Sequence, residues 1–315
     1  MLQVEALGKR YGSLAALRDV SFAAYEAEIV GLLGPNGAGK TTMIRLLTTM
    51  LTPTSGRFSV AGVPGTRPAE IRRRVGVLPE SAGYPAGRTG AEHLQLHTRL
   101  YGSSRRRAAE VADTLLAEVG LTEVAGTLVS TYSRGMRQRL GIARALVNDP
   151  VVVFLDEPTL GLDPAGHRRL LALLRDIAER RRATVVLSTH ALADVEEICE
   201  RVVILDVGRV VAAGRVAEVV ETVTNPGGAR VAVPAEAVTA AVALLGGLDG
   251  VTVADAAEGS GVIELTSTAG GADAALRALV GSGVPILRWE VGRARLSDAF
   301  RAVTSGTSAT GGDPA

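Results

Sequence analysis

Three short stretches, residues 2–6, 20–24 and 57–61, alternate apolar and polar side chains. A period of two places one face of a strand on a core and the other in water, so these stretches predict half-buried antiparallel strands. Four further stretches, 29–33, 151–155, 184–187 and 202–205, are apolar almost without interruption. Strands covered on both faces, as in a parallel sheet, have this pattern. Helical spacing separates them, so the pattern predicts a mixed α/β core with an antiparallel edge sheet. Residues 89–148 carry no strand pattern and predict helices at roughly 90–101, 104–119 and 134–148, a helical insert between core strands.

The pattern changes after Gly214. Asn225-Pro226-Gly227-Gly228 is a breaker cluster of the kind that links domains. Beyond it the order is strand (230–234), helix (236–246), strand (250–254), strand (261–266), helix (271–280), strand (284–290). That βαββαβ order predicts a small α+β, ferredoxin-like domain. The expected organisation is a domain over 1–220 with its helical insert at about 84–148, a linker at 221–229, an accessory domain over 230–303 and a disordered Gly/Ser/Thr-rich tail at 304–315.

Composition narrows the class. The 315 residues are 47% hydrophobic and 21% charged, enough for a real core, and the 3% aromatic content means that core is aliphatic. With 34 basic against 33 acidic residues, net charge +1, nothing in the charge balance points to nucleic acid. The runs Arg72-Arg73-Arg74, Arg105-Arg106-Arg107 and Arg180-Arg181-Arg182 read as solvated helix faces or ends. Cys199 is the single cysteine, which excludes an internal disulfide and fits a reducing compartment. The first residues lack the basic and apolar regions of a secretory signal, and no apolar run is long enough to span a bilayer.

The chemistry lies in four segments. Gly34-Pro35-Asn36-Gly37-Ala38-Gly39-Lys40-Thr41 matches the phosphate-binding loop G-x-x-x-x-G-K-[ST], after a buried strand and before a helix. Its glycines let backbone N–H groups face phosphates, Lys40 adds a full charge and the Thr41 hydroxyl is placed for Mg²⁺. The apolar run at 151–155 ends in Asp156 and Glu157, where Asp156 reads as the Mg²⁺ partner and Glu157 as general base for an attacking water. His190 follows the strand at 184–187, at the end of a parallel strand where ligands bind, and could orient that water through the γ-phosphate. Ser133 is a good N-cap for the apolar face Met136, Leu140, Ala143, Val147, and the positive end of that helix suits an anion. Because a phosphate loop is already present, this second anion site makes most sense on another subunit's ATP. Tyr11 is either a ring stacked on adenine or a surface tyrosine in a hairpin turn. His93 and His97, at i and i+4, could bind metal but read as a solvated helix face for want of a third ligand. His167, on a polar turn, needs no special role.

In order along the chain, these motifs resemble the ATP-binding subunit of ABC transporters over residues 1 to about 220. Tyr11 matches the adenine-stacking position, Gly34 to Thr42 the Walker A loop, Ser133 to Gln138 the signature motif and the strand ending in Glu157 Walker B. Leu160-Gly161-Leu162-Asp163 resembles the D-loop and His190 the switch histidine. The resemblance implies a homodimer with two ATPs and Mg²⁺ at its interface, Ser133 and Gly135 on the partner's γ-phosphate and Asp163 crossing between subunits. It also implies a separate membrane permease, a place on the inner face of the cell membrane and an ATPase cycle that drives transport. Two positions depart from the pattern. Glu80 stands where the family has a glutamine, and still offers a carboxylate to Mg²⁺. Arg134 replaces the first signature glycine, adding charge near the partner's phosphates or pointing to solvent. Both, with Leu296-Ser297-Asp298-Ala299-Phe300 near the end, resemble the daunorubicin-resistance type of drug exporter. The alternative is a soluble ATPase of the same family acting on ribosomes or DNA. Against it stand the single cassette and the lack of coiled-coil heptads or cysteine pairs. A regulatory module that does not hydrolyse ATP is disfavoured by the presence of Lys40, Asp156, Glu157 and His190.

Overall fold

The structure, a computed structural model, describes residues 1–81, 83–85, 87–223, 229–257, 261–267, 270–291 and 296–305. It divides into two compact units, Met1–Val216 and Ala217–Ala315. The first unit begins with β1 (Leu2–Tyr11), β2 (Leu14–Ala24) and β3 (Ile29–Leu33), then α1 (Lys40–Leu47), β4 (Ser55–Val60), β5 (Val63–Pro64), α2 (Pro68–Arg72) and β6 (Val75–Leu78). Three helices follow, α3 (Gly90–Leu100), α4 (Arg105–Glu118) and α5 (Arg134–Ala145). The core then resumes with β7 (Val152–Asp156), α6 (Pro164–Arg181), β8 (Thr184–Ser188), α7 (Leu192–Ile198), β9 (Arg201–Asp206) and β10 (Arg209–Arg215). Helix α8 (Val216–Val223) comes next in the chain.

Two sheets form this unit. One is antiparallel in the order β2-β1-β4-β5; the other has the order β10-β9-β3-β8-β7-β6, parallel except for β10. The apolar runs are fully buried strands, as their composition requires: every residue of β3, β7 and β8 is buried. Met43, Ile44, Leu46 and Leu47 of α1 share one hydrophobic cluster with Val4 and Phe58 of the first sheet and Leu32, Phe154, Val186 and Val203 of the second. The helix that follows the phosphate loop is thus anchored in the main core.

The alternating strands run longer than expected. β1 reaches Tyr11 and β2 starts at Leu14, with register shifts along their pairing and left-handed backbone at Ala6 and Asp19. Bulges break the period of two, so alternation alone stops short of the strand ends. The insert helices lie where helical spacing put them. Thr89 caps α3 in a full capping box with Glu92, and Ser104 and Ser133 cap α4 and α5 through the N–H groups of Arg107 and Met136.

In the second unit, β11 (Ala229–Ala232), α9 (Val238–Gly246), β12 (Val251–Ala257), β13 (Val262–Ser267), α10 (Gly271–Gly281) and β14 (Arg288–Val291) precede α11 (Leu296–Ser305). The sheet is antiparallel in the order β12-β13-β11-β14. This is the split βαβ arrangement. It has its own core, including Val231, Ile263, Leu265, Leu245 and Leu279. Leu296 to Phe300 open α11. Within the segment expected to be a linker, α8 continues to Val223 and β11 begins at Ala229. Residues 224–228, and residues 306–315 of the expected tail, lie outside the described residues.

Candidate active site

The phosphate loop joins β3 to α1 and forms one wall of an open cleft of about 600 Å³, a size suited to a small ligand. The cleft gathers Tyr11, Leu14, the loop residues Pro35 to Thr42, Glu80, Asp156, Glu157 and His190. The phosphate loop, Asp156, Glu157 and His190, far apart in sequence, therefore meet because β3, β8 and β7 are neighbours and all end at the same edge of a parallel sheet.

Lys40 is buried, and its Nζ donates to the carbonyls of Gly34 (2.7 Å) and Pro35 (3.2 Å). Burial lowers its pKa, against the opposing pull of Glu157, Asp156 and Glu80. A phosphate entering the loop would take over the acceptors that loop carbonyls now supply.

Thr41 Oγ1 donates to Asp156 Oδ2 at 3.0 Å, and Ser188 Oγ donates to Asp156 Oδ1. Two of the three residues expected at Mg²⁺ are therefore already paired, and the third, Glu80, lines the same cleft. A hydroxyl beside a carboxylate fits a hard cation that keeps waters and phosphate oxygens as its other ligands. Among the described residues no cluster of three or more His, Cys, Asp or Glu could hold a metal by itself.

Glu157 sits one residue past β7 with left-handed backbone, φ +49°, rare for a residue with a side chain. Its N–H donates to Ser188 O at 3.0 Å, and its Oε2 lies 2.9 Å from His190 Nδ1. Glu157 is 11% exposed and His190 58% exposed. The pair stands at the mouth of the cleft, where a carboxylate can take a proton from water and an imidazole can hold that carboxylate in place.

Ser133, Gly135 and Asp163 are not among the residues lining this cleft. Ser133 caps α5, and Asp163 caps α6 by accepting from the N–H of Gly166 at 3.4 Å. Arg134 is exposed, as one of its two expected placements had it, and it also has a neighbour on its own chain. Its guanidinium lies against Gly161, where an added Cβ would fall 2.6 Å from Cζ. Gly161 adopts φ +70°, and a Cβ at Gly135 would make an ordinary contact with Leu162 Cδ2 at 3.6 Å. The start of α5 is therefore packed on its own chain's 160–163 loop.

Two histidines differ from expectation. His93 is fully buried rather than on a solvated face, and its ring stands 5.1 Å from that of Tyr84 and 4.7 Å from that of His97. Burial, with His97 and Arg144 nearby, lowers its pKa to about 4, so it is neutral at pH 7. Neither ring nitrogen has a hydrogen-bond partner among the described residues. Tyr84 Oη in turn donates to Arg137 O of α5 at 2.5 Å. His167 also has a partner, since its Nε2 lies 2.9 Å from Oδ1 of buried Asp194. Thr159 Oγ1 donates to the other oxygen of Asp194 at 2.8 Å. Thr159 and Asp194 carry no local motif. The available signal was the placement of an acid four residues after His190 and a hydroxyl two residues after Glu157. Cys199 is buried as a small apolar residue, and burial raises its pKa.

Residues 17–160 match the ABC transporter family model. The chain is 39% identical over 256 residues to a daunorubicin resistance ATP-binding protein of Streptomyces coeruleorubidus, covering 80% of this chain and 79% of that protein. Among solved structures, an ATP-binding subunit of an ABC transporter superposes with a TM-score of 0.63 at 33% identity, over 70% of this chain and 92% of the other. A dimeric post-hydrolysis state of an ATP-binding cassette bound to ADP and Pi superposes with a TM-score of 0.63 at 26% identity, over 68% of this chain and 98% of the other.

Proposed function

The chain belongs to the ATP-binding subunits of ABC transporters, an ATP-hydrolysing family, and from that membership we propose how its residues divide the work. It binds ATP as a homodimer and energises a separate membrane permease that exports drugs, antibiotics or other amphipathic molecules. The observation that carries this reading is the convergence of Lys40, Thr41, Asp156, Glu157 and His190 on one cleft, while Ser133 and Gly135 stay outside it. A site with only one wall calls for a second copy. The start of α5, with its cap at Ser133 and positive dipole end, would supply that wall to the partner's γ-phosphate. Asp163 would cross the same interface.

In this scheme the loop N–H groups and Lys40 hold the β- and γ-phosphates, and Tyr11, 44% exposed with Lys9 over one ring face, would stack on adenine with the other. Thr41 and Asp156, with Glu80 at the cleft edge, would hold Mg²⁺, which offsets phosphate charge when bound. Glu157 takes the proton of the attacking water at a carboxylate oxygen. His190 keeps that carboxylate turned toward the γ-phosphate position. Among the described residues no helix is long and apolar enough to cross a membrane. The reading therefore assigns the span to another chain and this subunit to the inner face of the membrane. The export direction is inferred from the drug-resistance name of the Streptomyces relative, since resistance calls for removing the drug.

The test is Glu157→Gln. The amide keeps the shape but cannot accept the proton, so turnover falls by about 10²–10⁴-fold while ATP still binds and an ATP-bound dimer accumulates. Hydrolysis assays and size-exclusion chromatography with ATP check both outcomes. Unchanged turnover would remove Glu157 from the role of base.

A further inference from the structure

We propose that Thr159, Asp194 and His167 form a brace that positions the Glu157–His190 pair, with Asp194 as its central positioning residue. The proposal rests on the reading of Glu157 and His190 as the groups that handle the attacking water. The two members of that pair lie on different loops, one after β7 and one after β8. Each loop carries a second residue a short way on, and those two also meet. Thr159, two residues after Glu157, donates to Asp194, four residues after His190, at 2.8 Å. The front contact is open, with His190 58% exposed. The back contact is closed, with Thr159 8% and Asp194 2% exposed. A hydrogen bond shielded from water resists competition better than one at the surface, so the back contact is the stiffer.

Backbone bonds transmit that stiffness to the front. Leu160 N–H donates to Glu157 O and Leu162 N–H to Thr159 O, each at 3.3 Å, folding the 157–162 loop on itself. On the other loop, Asp194 N–H donates to Ala191 O at 3.1 Å and Ala191 N–H to Thr189 Oγ1 at 3.0 Å, which fixes His190 between them. His167 occupies the remaining oxygen of Asp194 from the first turn of α6, where its own N–H donates to Asp163 O at 2.9 Å. The brace thereby fastens the 160–163 loop as well. None of its three side chains lines the cleft, so it acts on the geometry of the pair and not on ATP affinity.

Steady-state ATP hydrolysis by the full chain with Mg²⁺ tests this. Thr159→Val keeps the shape and deletes the hydroxyl; it lowers kcat by about 10–100-fold with KM for ATP within about twofold, the scale expected for a misplacement near 1 Å. Thr159→Ser restores the wild-type rate. Asp194→Ala gives a similar fall, and the double variant Thr159→Val/Asp194→Ala is no slower than the worse single one, because both remove the same unit. Wild-type kcat in Thr159→Val overturns the proposal. So does additivity in the double variant, or a fall in kcat matched by a comparable rise in KM. If Asp194→Ala fails to fold, Thr159→Val and its serine rescue decide alone. Wild-type and Glu157→Gln controls in the same assay separate this from the reading of the base. An inactive Glu157→Gln beside a fully active Thr159→Val removes the brace and leaves the base in place.

Discussion

At Gly39 the backbone stands at φ +106°, and a Cβ there would fall 2.6 Å from Leu17 Cδ2 and 2.9 Å from the carbonyl of Ala16. The residue that hands the chain from the phosphate loop to α1 must therefore lack a side chain. Gly39→Ala should cost more than about 1 kcal/mol at this position. Because the strain bends the loop itself, ATP affinity should drop about tenfold or more, read by a nucleotide titration of the full chain. Gly39, Lys40 and Thr41 were legible because a phosphate loop is a local object: its chemistry needs adjacent residues in fixed order. Asp156 and Glu157 were legible for the same reason, as acids closing an apolar strand. The partners of Arg134 and His167 were not. Which way a guanidinium turns depends on a loop 27 positions away, as does the acid opposite His167. No periodicity records such a meeting. His93 was misread because an i, i+4 pair of polar rings looks like a wet face, whereas Leu94 beside it and Tyr84 opposite place the ring in the interior.

At the scale of elements, the parallel strands were plain because burial on both faces leaves a strand nowhere to put a polar residue. Phe154 shows the weight of that burial. It is fully buried at the middle of β7 and packs in the cluster that also holds α1. Phe154→Ala should destabilise the protein by about 3–5 kcal/mol in denaturant unfolding, through lost transfer free energy and a cavity. The same cluster supports the phosphate loop helix, and Phe154 lies two residues before Asp156 on β7, so this change reaches the site through packing. Thr89 with Glu92 is a case where an element boundary could be read from two residues three apart. The β1–β2 hairpin is the opposite case. Positive φ at Ala6 and Asp19 shifts the register, and the strands continue past the point where alternation ends.

For the whole molecule, two cores mean two sources of stability. The cluster around β11, β13, α9 and α10 shares no residue with the one around α1, β3 and β7. We propose that the nucleotide-binding work belongs to the first unit alone. A fragment ending at Val216, where that unit ends, should stay folded and bind ATP within about threefold of the full chain, checked by calorimetric titration and circular dichroism. A fragment that does not fold would mean that the second unit completes the first. The helical insert, two sheets and split βαβ order were all visible in advance, since each rests on spacing within one segment. The strand order was not, because a parallel sheet is assembled from segments far apart along the chain.

That strand order also sets a schedule for synthesis. β3, which carries the phosphate loop, pairs with β8 at Ile29↔Val185 and with β9 at Val30↔Arg201. Both flanking strands are made more than a hundred residues later. At ribosomal speeds of about 5–20 residues per second, the loop waits roughly 8–30 s without its neighbours. During that interval the emerging chain holds an apolar strand with two bare edges and cannot yet grip a nucleotide. ATP therefore meets a chain in which most of the first unit has already been made, and a nascent chain truncated before Ser188 offers it no pocket.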